Sequence, residues 1–473
     1  MKLLSKLGFG LLSLLMVLTL TGPKSLAQGK TYIIATDTTF APFEFQDTNG
    51  DYVGIDMDLI RAIAEDQGFE IEIRPLGFNA AVQALESQQV DGVIAGMSIT
   101  DERKMKFDFS DPYFDSGIGM AVGVDTGITS YEDLAGKNVA VKIGTQGAEF
   151  AQSIKDQYGF SISTFEDSAN MYQDVVSGNS VAAFEDYPVL GYAITSNNLP
   201  LVLLDYKEKA NAYGFAVAKG QNAELLASFN QGLSNLKASG QYDQIIDSYI
   251  GGGAASTEDT SFLGLIKTNG PALLKGLWNT LLIALASVAI AMVIGVILGL
   301  LKTSRNNVLQ LIAGLYIDFM RGIPLLVLTF FIYFGIPQLL GIRLSTLTAS
   351  ILTLSLNAAA YVAEIVRGGI LAVDPGQNEA AMSLGLPYWT SMKRVILPQA
   401  FRIMIPSFIN QFVISLKDTS ILSVIGLAEL TYTGKIIIAR NLQSSAMWFI
   451  VGLMYLIVIT ILTKISSRLE RRH

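Results

Sequence analysis

The chain has 473 residues, 51% hydrophobic and 16% charged, with no cysteine. That is too long for one ordinary domain and too apolar on average for a wholly water-soluble protein, so a soluble part joined to a membrane part is expected, without disulfides. Residues 28–269 carry 14 Lys+Arg against 34 Asp+Glu, whereas residues 270–473 carry 16 against 7. The acidic part has no basic tract of the kind that binds nucleic acid. In the later part the positive charge gathers at the ends of apolar runs.

Residues 1–27 read as a secretory signal: Lys2 and Lys6, an apolar run from 7 to 20, then Ser25-Leu26-Ala27 as a small-x-small cleavage site. From residue 31 to 251, short β-rich runs at 32–36, 71–76, 91–96, 139–143, 181–185, 201–204 and 213–218 alternate with helical patterns at 56–67, 79–88, 147–157, 168–177 and 224–239. This alternation predicts an α/β protein with mainly parallel sheets, in which ligands gather beyond the carboxyl ends of strands. Those places hold TDTTFAPFEF from residue 36, AGMSITDERK from residue 95 and the segment Asp111-Pro112-Tyr113-Phe114.

These motifs, in this order, resemble the polar amino acid binding proteins of ABC importers, whose two lobes close over the ligand like a hinged clamp. The resemblance implies a type II periplasmic-binding-protein-like domain over residues 28–250, with lobe 1 at about 30–112 and 214–250 and lobe 2 at about 117–210. A zwitterion needs a planar guanidinium for its carboxylate, so Arg103 is the expected anchor, helped by Ser98 and by the strand-to-helix passage Lys142-Ile143-Gly144-Thr145-Gln146-Gly147. Taken alone, Asp101-Glu102-Arg103-Lys104 would read as a solvated helical face. Asp186 is the candidate acceptor for the ammonium group, with the carbonyls of Ala95 or Gly96. Phe40 and Phe78 would sandwich the aliphatic part of the ligand, and by resemblance Asp37 and Lys142 face its side-chain end. An acid beside a lysine suits a neutral amide, which favours glutamine; Glu185 as a second acid would favour arginine, and the choice stays open. Gly144-x-x-Gly147 is no phosphate loop, since the Gly-Lys-Ser/Thr ending is absent.

Residues 251–269 are expected to be a flexible linker. Beyond it, apolar runs at 276–301, 344–363 and 441–463 are long enough to cross a bilayer, and two interrupted runs at about 308–342 and 403–426 bring the expected number of spans to five. Five spans from an exported start put Lys302, Arg305, Arg367, Lys393, Arg394 and Arg402 on one side, as the positive-inside tendency expects. Arg321, Lys417 and Asp418 lie inside the interrupted runs and are candidates for the translocation path.

Between two spans lies DPGQNEAAMSLGLPYWTSMKRVILP, residues 374–398. Asp374 can cap a helix, Pro375 suits its first position, Gly385 can end it in a left-handed conformation and Pro387 can stop it, giving two short helices. Glu379-Ala380-Ala381, then Gly385 and Pro398, resemble the EAA loop of ABC importer permeases, which docks into a cytoplasmic ATPase. Together the resemblances imply an amino acid binding domain fused to an all-α permease domain (270–473), no cofactor, an ATPase dimer as separate partner, and a homodimer. A ligand-gated channel shares the clamp fold, but would need pore segments between the lobes and a Thr-Val-Gly-Tyr-Gly filter, and neither occurs; a clamp-fold dehydratase would give no reason for the permease.

Overall fold

A computed structural model describes residues 30–209, 211–250, 259–304 and 306–470. The expected signal segment, residues 251–258 of the expected linker and Arg305 lie outside the described residues.

The acidic part forms two α/β lobes. In lobe 1 the sheet order is 70–75, 31–36, 92–93, 216–218 and 107–109. Strand Thr31–Thr36 pairs in parallel with Glu70–Pro75 and Gly92–Val93, while Ala216–Ala218 runs antiparallel. In lobe 2 the order is 161–165, 138–142, 182–186, 117–123 and 201–203, again with a parallel core and antiparallel partners. The sheets are therefore mixed rather than mainly parallel. Strands Gly117–Gly123 and Ala216–Ala218, which run against those cores, are the ones that the chain forms just after crossing between lobes, beside Phe114 and Tyr213, which bridge to each other. Strand Gly117–Gly123, helix Tyr187–Asn197 and helix Gln241–Ile250 are additions to the expected elements.

The membrane part has four helices long and apolar enough to cross a bilayer, and a fifth if the bent pair Asn307–Gly322 and Leu325–Leu340 is one span. The pair bends by 104° at Ile323-Pro324, where the proline removes a helical donor. It leaves the end marked by Lys302 and arrives at Arg343, which bonds the clamp, so it traverses the domain once. Several expected boundaries shift. The first helix spans Phe262–Lys302, capped by Ser261 Oγ accepting from Gly264 N at 3.1 Å, so residues 262–269 are helix and not linker. It lies alongside and parallel to Thr346–Leu371, with Gly295 against Val362 and Gly299 against Val366, where any larger residue would collide.

The 374–398 segment also differs in its second half. Asp374 Oδ1 accepts from Gly376 N at 2.7 Å, helix Pro375–Ser383 comes next, and Gly385 ends it at φ +74°, as the sequence suggests. Beyond Pro387 the expected second short helix does not stand alone: Tyr388–Ile425 is continuous through a π-turn at Met392–Ile396 into the next span. The segment sits at the end of Thr346–Leu371 remote from the clamp, since 26 residues at about 1.5 Å each separate it from the clamp-bound loop. A further helix, Leu430–Asn441, lies across the clamp face.

Candidate functional site

Eleven residues from both lobes meet around one cavity: Asp37, Phe40, Phe78, Ala95, Gly96, Ser98 and Arg103 of lobe 1, and Lys142, Thr145, Gln146 and Asp186 of lobe 2. All eleven were expected from the sequence. The lobes are shut upon one another, and the space between these groups is only about 10 Å³, roughly one water. A ligand must therefore part the lobes to enter.

Local folding explains each placement. Thr100 caps the turn Asp101–Lys104 through its side chain and aims Arg103 back across the cleft. There Arg103 Nη1 donates to Ser98 O and Nη2 to Gly144 O, both at 2.9 Å, and its guanidinium lies 5.3 Å from the Phe78 ring centroid. Burial draws this guanidinium below its ordinary pKa while Glu149 and Asp186 oppose the shift; it remains a cation at neutral pH. The Asp37 carboxylate divides its work. Oδ1 holds the turn by accepting from Thr38 N (2.6 Å) and Thr39 N (3.1 Å), while Oδ2 pairs with the Lys142 ammonium across the cleft. Lys142 also lies 5.0 Å from the Phe40 ring centroid. Burial alone would push its pKa down, but Asp37 and Glu185 more than offset that, and it is held above its ordinary value.

Thr145 caps helix Gln146–Tyr158, its hydroxyl accepting from Ala148 N (3.3 Å) and donating to Lys142 O (2.7 Å). Asp186 ends strand Ala182–Asp186 at the hinge, where Ser116 Oγ donates to Oδ1 at 2.6 Å. Burial pushes its carboxyl up, against the hydroxyls of Ser116 and Tyr213 and the charges of Lys142 and Arg103. An arriving ammonium group favours the ionised form, which makes Asp186 a fitting acceptor. Ser116 and Tyr213 were not among the expected residues. The signal for Ser116 was its position immediately before the expected start of lobe 2.

Glu185 is a correction. It is absent from the cavity and faces the interior of lobe 2, where it accepts from Ser168 Oγ at 2.7 Å and from the Tyr172 hydroxyl. Burial raises its pKa to about 7, with Lys142 pulling the other way. Behind the cavity, Asp56 Oδ2 accepts from Gly96 N and Tyr113 Oη, both at 2.8 Å, and fixes Gly96 in a left-handed conformation (φ +51°) against the Phe40 ring.

In the membrane part Arg321 lies 5.5 Å from the Tyr361 ring centroid. Among the described residues no ion pair joins Arg321 or Lys417 to Asp418. Glu379 and Ala380 are exposed, Ala381 is buried, and Met382, Leu384 and Trp389 leave large apolar surfaces uncovered beside them. Gly385 closes the helix through Gly385 N donating to Met382 O at 2.9 Å, and Pro398 lies in the first turn after the π-turn.

The clamp is docked on the membrane part. Arg343 Nη2 and Nη1 reach the two oxygens of Asp91 at 2.7 and 3.2 Å, and Gln89 donates to Ile342 O and accepts from Leu344 N. Helix Leu430–Asn441 adds Tyr432 Oη donating to Pro75 O (3.3 Å) and Arg440 Nη1 donating to Asp47 O (2.8 Å). On lobe 2, Lys435 Nζ lies 3.6 Å from Asp167 Oδ2.

A solute-binding clamp mounted on a bundle of membrane-crossing helices defines the class, and comparison with known proteins agrees. The family described as bacterial extracellular solute-binding proteins, family 3, matches residues 32–252, and that described as binding-protein-dependent transport system inner membrane component matches residues 291–473. The chain belongs to the binding-protein-dependent transport permeases and carries its family 3 solute-binding protein in the same polypeptide, as the fused subunit of an ABC importer. It is 41% identical over 203 residues to the glutamine transport system permease protein GlnP of Escherichia coli (strain K12), covering 43% of this chain and 93% of that protein. To the arginine transport system permease protein ArtQ of Bacillus subtilis (strain 168) it is 40% identical over 209 residues, covering 43% and 92%. Among solved structures, substrate binding domain 2 of Lactococcus lactis GlnP in the open conformation is 40% identical, covers 49% of this chain and 99% of its own, and gives a TM-score of 0.38. An ancestral arginine-binding protein bound to glutamine is 37% identical, with 48% and 100% covered and a TM-score of 0.45.

Proposed function

We propose that this subunit imports polar amino acids, glutamine ahead of arginine, driven by a separate cytoplasmic ATPase dimer that docks on the Glu379-Ala380-Ala381 segment. The observation that carries the reading is the convergence of Arg103, Asp186 and the Asp37–Lys142 pair in one interlobe cavity. Arg103 and Ser98 hold the α-carboxylate, and Asp186 with the Gly96 carbonyl holds the ammonium. Phe40 and Phe78 flank the methylenes. At the far end a side-chain amide inserts between Asp37 and Lys142, donating to one and accepting from the other, so each buried charge exchanges one partner for another. An arginine guanidinium would instead meet the Lys142 cation. With Glu185 turned into lobe 2, the second acid that would favour arginine is removed from the argument.

The clamp stands outside the cell membrane and the 374–398 segment inside. This orientation rests on the basic residues Lys302, Arg367, Lys393, Arg394 and Arg402 at the end of the bundle remote from the clamp. The exposed Met382, Leu384 and Trp389 give an ATPase an apolar surface to cover. One chain presents one such surface, so two chains form the working unit. Arg321, Lys417 and Asp418 line the route between them.

Isothermal titration of the full chain in nanodiscs with glutamine, arginine and glutamate tests the binding half. Glutamine should bind tightest, and Arg103→Ala should weaken all three by at least about a hundredfold, the size expected when a buried charge loses its partner. Tighter arginine than glutamine would overturn the substrate order; intact binding in the Ala variant would overturn the site.

A further inference from the structure

Between the clamp and the membrane part lies a second cavity, of about 230 Å³. Three bodies form its walls. Lobe 1 gives Asp37 and Asn79, lobe 2 gives Glu166 and Asp167, and the membrane part gives Ser423 and Lys435. Among the described residues, Asp37 is the one side chain lining both this chamber and the ligand cavity, so the Asp37–Lys142 pair is the partition between them. On its membrane side the chamber meets Ser423 in the last turns of Tyr388–Ile425, the helix that carries Lys417 and Asp418, and Phe330 of the bent pair that carries Arg321.

The electrostatics of the chamber are lopsided. Asp37, Glu166 and Asp167 contribute carboxylates, and Lys435 is the sole cation among the described residues that line it. Its nearest partner, Asp167 Oδ2, is 3.6 Å away, beyond hydrogen-bond reach, and Asp167 is already engaged by accepting from Asn170 N and Asn170 Nδ2 at 2.9 Å. Among the described residues, Lys435 therefore has no protein hydrogen bond that uses its three donors at the chamber wall. An amino acid that leaves Arg103 carries a carboxylate through a passage otherwise lined by like charge, and it needs a cation in transit.

We propose that this chamber is a relay site for the α-amino acid zwitterion, in which Lys435 receives the carboxylate that Arg103 releases. The inference rests on the importer reading and adds a discrete stop to it. When the lobes part, the Asp37–Lys142 partition opens, the ligand passes Asp37, and Lys435 holds its carboxylate until the path beside Ser423 becomes accessible.

The test uses the full chain reconstituted with its ATPase in lipid vesicles, with labelled glutamine and with labelled arginine. Clamp affinity, measured by titration, should be the same within about twofold for wild type, Lys435→Gln, Lys435→Arg and Asp167→Asn, which also shows that the variants fold. ATP-dependent uptake should fall roughly ten- to a hundredfold in Lys435→Gln, the scale of one lost charge-assisted hydrogen bond, and should persist in Lys435→Arg and Asp167→Asn. Unchanged uptake in Lys435→Gln overturns the relay. Equal loss in Asp167→Asn and Lys435→Gln also overturns it, because Lys435 would then act only by pairing lobe 2 to the membrane part. A wild-type chain that binds glutamine but takes up neither amino acid would sink the importer reading itself, and the relay with it.

Discussion

The two lobes are fastened to the membrane part very differently. Lobe 1 is held by the two-pronged Arg343–Asp91 pair, by the reciprocal Gln89 bonds, and by Tyr432 and Arg440. Its Leu76, Phe78 and Ala81 also share an apolar core with Leu328, Ile332 and Tyr333 of the bent helix pair. Lobe 2 offers the loose Lys435–Asp167 contact, Ala169 packed near Leu265 and Leu273, and a core edge covered by Leu442. The difference teaches which half is held less. Lobe 1 is the more firmly seated jaw, and an opening by lobe 2 about the Phe114–Tyr213 bridge would break fewer polar contacts on the membrane side.

The sharpest way to break that comparison is to unlatch the jaws from each other. Lys142 of lobe 2 and Asp37 of lobe 1 are both fully buried, and removing one partner of a buried pair costs about 3–5 kcal/mol. Because the partners sit on different lobes, opening the clamp relieves the cost by returning Asp37 to water. Lys142→Met should therefore shift the ligand-free clamp to an open form, read as a longer interlobe distance by spin or fluorescent labels on the full chain. A clamp that stays shut would show that other contacts hold it.

A smaller effect probes the interior of lobe 2 by pH. Glu185 has its pKa raised on folding from 4.5 to about 7, so between these values the native state keeps a proton that the unfolded chain has lost. Stability of lobe 2 should then fall as pH rises through that window, by about 2–3 kcal/mol, and level off above it. Glu185→Gln should flatten this slope in thermal unfolding measured from about pH 4.5 to 8, leaving the share of Asp56 in lobe 1, which burial also raises to about 7. An unaltered slope would assign the proton elsewhere.

The smallest effect probes the firmly seated jaw. Arg343→Ala removes a partly exposed two-pronged pair worth about 1 kcal/mol, so uptake should fall several-fold while clamp affinity stays as it was. Loss of affinity in this variant would mean that docking and capture are not separable.

Much of this was legible in the chain itself. Periodicity marked the helices of the clamp, and the motif residues converged because each succeeds a strand end on the same side of its sheet. Glu185 was misplaced although the means to place it were present: neighbours along a strand point to opposite faces, so Glu185 and Asp186 could not both face the cleft. Strand Gly117–Gly123 escaped notice because glycine is depleted in strands, yet Gly119 packs tightly there against the side chains of Tyr187, Leu190 and Leu203. The start of the first membrane helix was hidden by Lys267, Pro271 and Lys275, which read as a break but are accommodated within one helix. The docking face was not readable at all. Nothing local in Gln89 or Asp91 announces a partner some 250 positions away.

The helix Phe262–Lys302 is 41 residues, about 61 Å at 1.5 Å per residue, roughly twice the thickness of a hydrocarbon core. Its neighbour Thr346–Leu371 starts level with Asn279, judged by the pairing of Gly295 with Val362 and Gly299 with Val366. The exposed Trp278 then falls where tryptophan prefers to sit, at the lipid–water boundary. The preceding sixteen or so residues stand above it as a post about 24 Å tall. That post gives lobe 2 a wall to lean on: Leu265 and Leu273, both along its length, pack in one cluster with Ala169 of that lobe.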